Sequence, residues 1–398
     1  QAADRDREQL FKRMRREAKA KENERRRLVT AVFGFDSFFG EKFAGRFPAA
    51  LPDPPRMVTV PRSEGLFGAR SDEVWKSAGV RHPRYAGLLN PGGHTSFVSS
   101  VAQLLLRTPS VAVFLHAHVK ICERGPQQGC VSCLLWGLQQ QLTMTSQELA
   151  KCKDPAHGFM RGAVHAAFTT ETEHDAALFL QGLLEAMAQE EMREGRASAR
   201  GYDAVVEGCA QVTHVERLFG FWEEQRVECG CGMLCRRVCA KRMLELPLLG
   251  QGGAEVTVGD LYLHYCLGAA IVEDESSFCR QCSSPKAVRM QRRVAGEPNI
   301  LVVRVMRAVS GESNIRRDPV RPELRLDMGG LGVMDLWAVV YHAGSSASSG
   351  HYHAVDRGAD GRFRQFDDRT KHAVGYREVS EDLVEFQRQR SVHLMVYV

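Results

Sequence analysis

No run of eighteen apolar residues occurs anywhere in the chain, so a membrane-spanning helix is not expected. The first residues lack the apolar core of a secretory signal. Nor is there a strong charge of one sign. Against 53 Lys and Arg stand 48 Asp and Glu, and the formal charge of +5 is spread along the chain, which gives little support to nucleic-acid binding. No HExxH pair is present, which argues against a zinc-dependent hydrolase, and no internal repeat is visible. What remains is 398 residues, 44% hydrophobic and 25% charged, the composition of a globular protein long enough for one large domain or two smaller ones.

Cysteine is plentiful and grouped. Of 12 cysteines, Cys130 and Cys133 form one CxxC, Cys279 and Cys282 form another, and Cys229, Cys231, Cys235 and Cys239 crowd into one stretch. A chelate needs sulfurs on the same tight turn, and CxxC supplies it. Without a secretory signal, reduced thiols and Zn2+ are expected rather than disulfides, in a reducing intracellular compartment: nucleus or cytoplasm, with the mitochondrion left open.

Residues 1–30 carry eleven Lys and Arg and six Asp and Glu, with almost nothing apolar before Leu28. The segment reads as a solvated or partner-bound helical extension, or as a flexible basic arm that leaves nucleic acid open as a partner. Its acidic residues argue against a mitochondrial presequence. Pro48, Pro52, Pro54 and Pro55 mark a linker, so residues 1–84 are expected to be extension and linker and residues 85–398 the compact domain. Helices are expected over Phe97–Leu106, before Pro109, and over residues 174–192. Short β-branched and aromatic runs at 300–306, 336–341, 351–355 and 393–397 predict strands. Helices first and strands last, with a cysteine-bearing insertion between, predict an α+β protein with a site between two lobes.

A thiol protease needs a nucleophile, an imidazole, a group that orients the imidazole, and donors for the oxyanion. Residues 87–105, GLLNPGGHTSFVSSVAQLL, supply a glycine-rich turn, small hydroxyl residues and then a helix. Downstream, Gly350-His351-Tyr352 is followed by Phe366-Asp367-Asp368. That spacing suits a hairpin in which Asp367 accepts the Nδ1 hydrogen of His351.

These segments resemble the cysteine and histidine boxes of the ubiquitin-specific proteases, approximately GLxNLGNTCYMNSxLQ and YxLxAVxxHxGxxxxGHYxAY with a following F-D/N-D. Residues 173–180, EHDAALFL, stand where that family has QQDAHEFL, and residues 215–220 and 317–327 are similar to its segments before the fingers and before the histidine box. The resemblance implies a papain-like fold with thumb, palm and zinc-bearing fingers (about 215–300). It implies His351 as general base, Asp367 as its partner, Asp368 as an auxiliary group near the oxyanion, and Asn90 as an oxyanion donor. Without a gap the nucleophile position falls on Thr95; with one extra glycine in Pro91-Gly92-Gly93 it falls on Ser96, which also aligns Phe97, Ser100, Val101 and Gln103. Either way the thiol is missing, and a serine hydroxyl stays protonated where a thiol beside histidine ionises.

The resemblance also implies a finger zinc held by Cys229, Cys231, Cys279 and Cys282, with Cys235 as a substitute. A second zinc falls on His118, Cys122, Cys130 and Cys133, with His116 as the competing imidazole. Its HxxxC…CxxC order is similar to an extra site in the members that act on histone ubiquitin within transcription coactivator complexes. Both sites would be structural. Cys152, Cys209 and Cys266 show no partner in the sequence and are expected to be packing residues. Two functions compete: a non-catalytic domain that serves as scaffold or ubiquitin-binding subunit of a larger assembly, and a deubiquitinase held as a cysteine-to-serine trap.

Overall fold

The computed structural model describes residues 87–88, 90, 93–144, 148, 161–169, 173–194, 213–229, 231, 234–248, 255–267, 270–272, 288–295, 298–307, 315–328, 331–346, 349–358, 362–368, 376–379 and 391–398. The expected basic extension and linker lie outside them.

Helices come first. α1 (Ser96–Leu106) is buried along its whole length and is followed by α2 (Pro109–Ile121), α3 (Val131–Thr143) and α4 (Ala176–Arg193). Pro109 opens α2 rather than merely ending α1, because the first helical position loses nothing by lacking an N–H. The second expected helix begins two residues later than its apolar pattern suggests. Asp175 takes the cap, accepting hydrogen bonds from the N–H groups of Ala177 at 2.8 Å and Leu178 at 3.0 Å. No single helix among the described residues is long and apolar enough to cross a membrane.

α5 (His214–Phe219) leads into β1 (Phe221–Cys229), which pairs with β2 (Leu234–Lys241) on one side and β6 (Val288–Ala295) on the other, with β5 (Ala270–Val272) beyond β6. This antiparallel sheet occupies the cysteine-bearing insertion. Arg242 bridges its root to the helices, reaching Glu185 of α4 and Glu216 of α5.

The second sheet runs β13 (Tyr376–Val379), β12 (Phe363–Phe366), β11 (Ser349–Arg357), β10 (Val333–Ser346), β14 (Ser391–Tyr397), β7 (Leu301–Met306) and β3 (Leu244–Pro247), with β9 (Arg325–Asp327) also on β10. Each expected strand is present, and in this sheet only β3 and β7 are parallel; β4 (Val256–Thr257) and β8 (Val320–Arg321) form a separate parallel pair. Alternation divides the residues of β10 between two cores. Ala338 and Val340 face the helices, whereas Leu336, Val339 and Tyr341 face a second core with Leu261 and Tyr265 of α6 (Val258–Leu267). α1 is therefore pressed against β10 and β11, which carries the start of that helix up to His351.

Candidate functional site

The cleft is assembled at the N-terminus of α1. Gly93 has φ +79°, a conformation that favours glycine, and its N–H donates to the carbonyl of Asn90 at 3.3 Å. This tight turn brings the Asn90 side chain back over the helix start. Asn90 Oδ1 accepts from Thr95 N–H at 2.8 Å and from the Thr95 hydroxyl at 2.6 Å. Ser96 is the first residue of the helix, fully buried, and its Oγ accepts from the N–H of Tyr352 at 3.1 Å. Of the two candidate hydroxyls, Ser96 thus meets the strand carrying His351, while Thr95 is committed to Asn90.

His351 and Asp367 do come together. The β11–β12 ladder ends at Ala354 and Phe366, leaving Asp367 just past the strand end and diagonal to His351. The sequence expectation for the ring nitrogen is corrected: Nε2, not Nδ1, lies 2.5 Å from Asp367 Oδ1. Asp367 itself is exposed, past the end of its strand. The hydrogen bond to Asp367 raises the His351 pKa against the effect of burial, and Asp368 and Glu173 add to the rise. Gln365 Nε2 holds the other Asp367 oxygen at 3.3 Å.

Asp368 adopts φ +45°, the left-handed region, which aspartate visits more readily than most residues. This turn swings its carboxylate inward. Asp368 Oδ2 accepts from the Asn90 amide at 2.7 Å and lies 3.8 Å from His351 Nε2. The carboxylate thereby holds the donor that the resemblance assigns to an oxyanion.

Behind the cleft, Glu173 accepts from Gly350 N–H. Glycine is required there: a Cβ would stand 2.2 Å from His342 Nε2 and 2.7 Å from the Ala343 carbonyl. His174 packs edge-on against Phe97 and Phe168, and burial lowers its pKa. Asp175 caps α4 while also meeting Arg304 at 3.0 Å and His393 at 3.1 Å. Burial alone would raise its pKa, but the Arg304 guanidinium, the contact with His393 and its backbone donors hold it well below the carboxylate range. None of this network is visible in the sequence.

The other cluster lies in the helical lobe. Ligand atoms of His118, Cys122, Cys130 and Cys133 all fall within 4.8 Å of one another. His118 Nε2 is 3.1 Å from Cys130 Sγ, and the sulfurs of Cys122 and Cys130 are 3.6 Å apart. Of the competing imidazoles, the structure brings His118 into the cluster, whereas His116 stacks edge-on against Trp136. Backbone N–H groups of Gly125 and Arg124 turn toward the Cys122 sulfur, and that of Cys133 toward Cys130. Burial pushes the Cys130 thiol far up and that of Cys133 up to about 11. A buried set of three thiols and one imidazole fits a closed tetrahedral Zn2+ site, because a divalent cation offsets the cost of burying thiolates. Glu190 of α4 backs the cluster, accepting from Val131 N–H at 2.6 Å, Ser132 N–H at 3.3 Å and the Ser132 hydroxyl at 3.1 Å. It caps α3 from a distant helix and also lies 3.4 Å from Cys130 Sγ.

The finger set is different. Cys279 and Cys282 lie outside the described residues, as do the side chains of Cys229 and Cys235, and Cys231 is exposed. Cys152 and Cys209 are likewise outside. Cys266 packs against the second core, as expected of a packing residue, and also hydrogen-bonds Tyr262, one helical turn away.

Comparison with known proteins decides the family. The model of the family described as "Ubiquitin carboxyl-terminal hydrolase" matches residues 86–397. The chain belongs to that family. Among curated relatives, the probable ubiquitin carboxyl-terminal hydrolase 16 of Schizosaccharomyces pombe is 22% identical over 304 residues, covering 72% of this chain and 62% of its own length. Ubiquitin carboxyl-terminal hydrolase 36 of Drosophila mojavensis is 23% identical over 337 residues, 81% of this chain and 27% of the relative. The chain therefore spans less than two thirds of either. Among solved structures, the SAGA Ubp8/Sgf11/Sus1/Sgf73 DUB module bound to ubiquitin aldehyde matches with a TM-score of 0.61 at 18% identity, over 82% of this chain and 74% of the matched one. A structure of the SAGA DUB module bound to monoubiquitin matches with a TM-score of 0.61 at 19% identity, over 79% and 68%. At these identities the likeness is one of fold, and it is the α+β ubiquitin-specific protease fold.

Proposed function

We propose that this ubiquitin carboxyl-terminal hydrolase domain has lost thiol catalysis and serves as a ubiquitin-binding or scaffolding subunit of a larger protein assembly. The observation that carries the reading is Ser96. Its hydroxyl is buried at the nucleophile position and accepts from the Tyr352 backbone. A hydroxyl there is not ionised at neutral pH as a thiol paired with histidine is. The Asn90 amide is a second obstacle, because an oxyanion would have to displace the Asp368 carboxylate from it. The fold of ubiquitin-bound neighbours supports ubiquitin as a ligand, and their assembly with further subunits supports protein partners.

The site roles follow on the same reading. His351 stands as the base, Asp367 as its orienting partner, Asn90 as the oxyanion donor and Asp368 as the group restraining it. A structural Zn2+ at His118, Cys122, Cys130 and Cys133 would neutralise the thiolates and tie α2 to α3. A second Zn2+ at Cys229, Cys231, Cys279 and Cys282 is proposed from the spacing alone.

The intact His351–Asp367 pair favours one other reading, a deubiquitinase trapped as serine. Ser96→Cys separates the two. The expected result is a folded variant that binds ubiquitin in a titration yet hydrolyses a ubiquitin C-terminal reporter no faster than the parent chain. Reporter turnover restored by a factor of about 100 or more, the scale on which an activated nucleophile acts, would establish the trapped enzyme. Failure of both proteins to bind ubiquitin would leave only the scaffold.

A further inference from the structure

The cleft contains one histidine more than its proposed chemistry uses. His353 stands two residues beyond His351 on β11, so both side chains leave the same face of the strand. The β11–β12 register, continued one step past Ala354 and Phe366, brings Asp367 abreast of His353 and diagonal to His351. The two imidazole rings are 6.1 Å apart and inclined by 33°. Ligand atoms of His351, His353 and Asp367 all lie within 4.8 Å of one another. His353 is buried and stacks on Tyr341 at 5.8 Å, while Asp367 is exposed, so the group has a fixed floor and an open mouth. Asp368, 3.8 Å from His351 Nε2, adds a second negative charge at the rim.

We propose that His351, His353 and Asp367 form a binding site for a borderline divalent cation such as Zn2+. Two imidazoles and one carboxylate suit such an ion, and three protein ligands leave a position open to water. At metal–ligand distances of about 2.0–2.2 Å, tetrahedral ligands stand roughly 3.4 Å apart. The 2.5 Å contact between His351 and Asp367 would widen to that bite, and the remaining pairs, all within 4.8 Å, would close to it. The ion takes the lone pair of His351, so an occupied site and a histidine base exclude one another. The inference rests on neither reading of Ser96 and uses no cysteine.

The test uses the full chain, its cysteine sites first filled with Zn2+ and loosely held metal removed by a mild chelator. Titration with Co2+ is expected to add one ion per chain, with ligand-field absorption but no thiolate-to-metal charge transfer. His353→Phe keeps the buried ring without its nitrogens, and Asp367→Ala changes only an exposed side chain. Each is expected to weaken Co2+ binding at least tenfold, with thermal melting recorded to confirm the fold. Should His353→Phe not fold, Asp367→Ala alone decides. No added ion, an affinity unchanged in the folded variants, or absorption carried by thiolate charge transfer would each overturn the proposal.

Discussion

Two polar clusters sit on the same scaffold and differ in how complete they are. In the helical lobe, three thiols and an imidazole converge with their backbone donors and with Glu190 behind them, and no member of the donor set is missing. In the cleft, the hydrogen-bonded frame of Asn90, Asp368, His351 and Asp367 is in place, but the atom at the proposed nucleophile position is an oxygen. The frame is held by the turn at Gly93, the β11–β12 register and the left-handed Asp368, and none of these depends on sulfur. The metal centre proposed for the lobe is different, since its ligands would be both the frame and the chemistry. A nucleophile can therefore change with the surrounding geometry retained, whereas a lost metal ligand takes structure with it.

That contrast is open to direct attack. Cys130→Ala is expected to have the largest effect, abolishing metal at the lobe cluster and destabilising the domain on the order of 5 kcal/mol. Zinc stoichiometry and thermal melting measure both; a variant that melts like the parent would show that the lobe cluster is as dispensable to the fold as the cleft thiol.

Asp175→Ala comes next. It removes the cap of α4 and leaves Arg304 and His393 without their shared carboxylate, at a cost of about 3–5 kcal/mol in denaturant unfolding. The pH dependence has a definite sign. The folded pKa of Asp175 is depressed, so its stabilisation is complete above the unfolded aspartate value of about 3.9 and is lost as pH falls through the lower folded value. An acid-unfolding curve that is the same for parent and variant would remove Asp175 from the account.

Glu190→Gln keeps the shape of the side chain while removing its charge from the start of α3, for a smaller loss of about 1–2 kcal/mol. Metal affinity is expected to fall with it, because the carboxylate also abuts Cys130. Equal metal affinity in the two proteins would confine Glu190 to capping.

Asp367→Asn is expected to be the mildest. By removing the partner that raises it, the change should lower the His351 pKa, read from the imidazole resonances by NMR. Here the linkage runs the other way. Stability from the raised His351 pKa is fully present below the unfolded value of about 6.5 and is lost as pH rises through the folded one. An unmoved titration would break the pairing on which the whole cleft description turns.

Much of this was legible beforehand, for local reasons. Continuous runs of β-branched and aromatic residues locate β7, β10, β11 and β14, because a strand with two buried faces must be apolar on both. The sixteen-residue separation of His351 and Asp367 matches a hairpin, and the ladder forms one. Helices α2 and α3 were not anticipated. Pro109 reads as a stop until its place in a first turn is seen, and the cap of α3 comes from Glu190, a distant residue with no local signature. The displaced start of α4 has the same kind of cause, since Asp175 is fixed by Arg304 and His393 as well as by its own helix.

The sequence by itself determined the α+β order of elements, the grouping of Cys122 with the Cys130–Cys133 pair, the His351–Asp367 pairing and the absence of a thiol from the cysteine box. These are matters of residue type and short spacing. The tertiary structure alone decided that His118 and not His116 joins the cysteines, that His351 presents Nε2 to Asp367, and that Asp368 holds the Asn90 amide. It also decided that Ser96 answers to the backbone of Tyr352. Asn90 and Asp368 are 278 residues apart, and Ser96 and Tyr352 are 256 apart. Contacts at such separations depend on how α1 packs against β10 and β11, and that is a property of the assembled core.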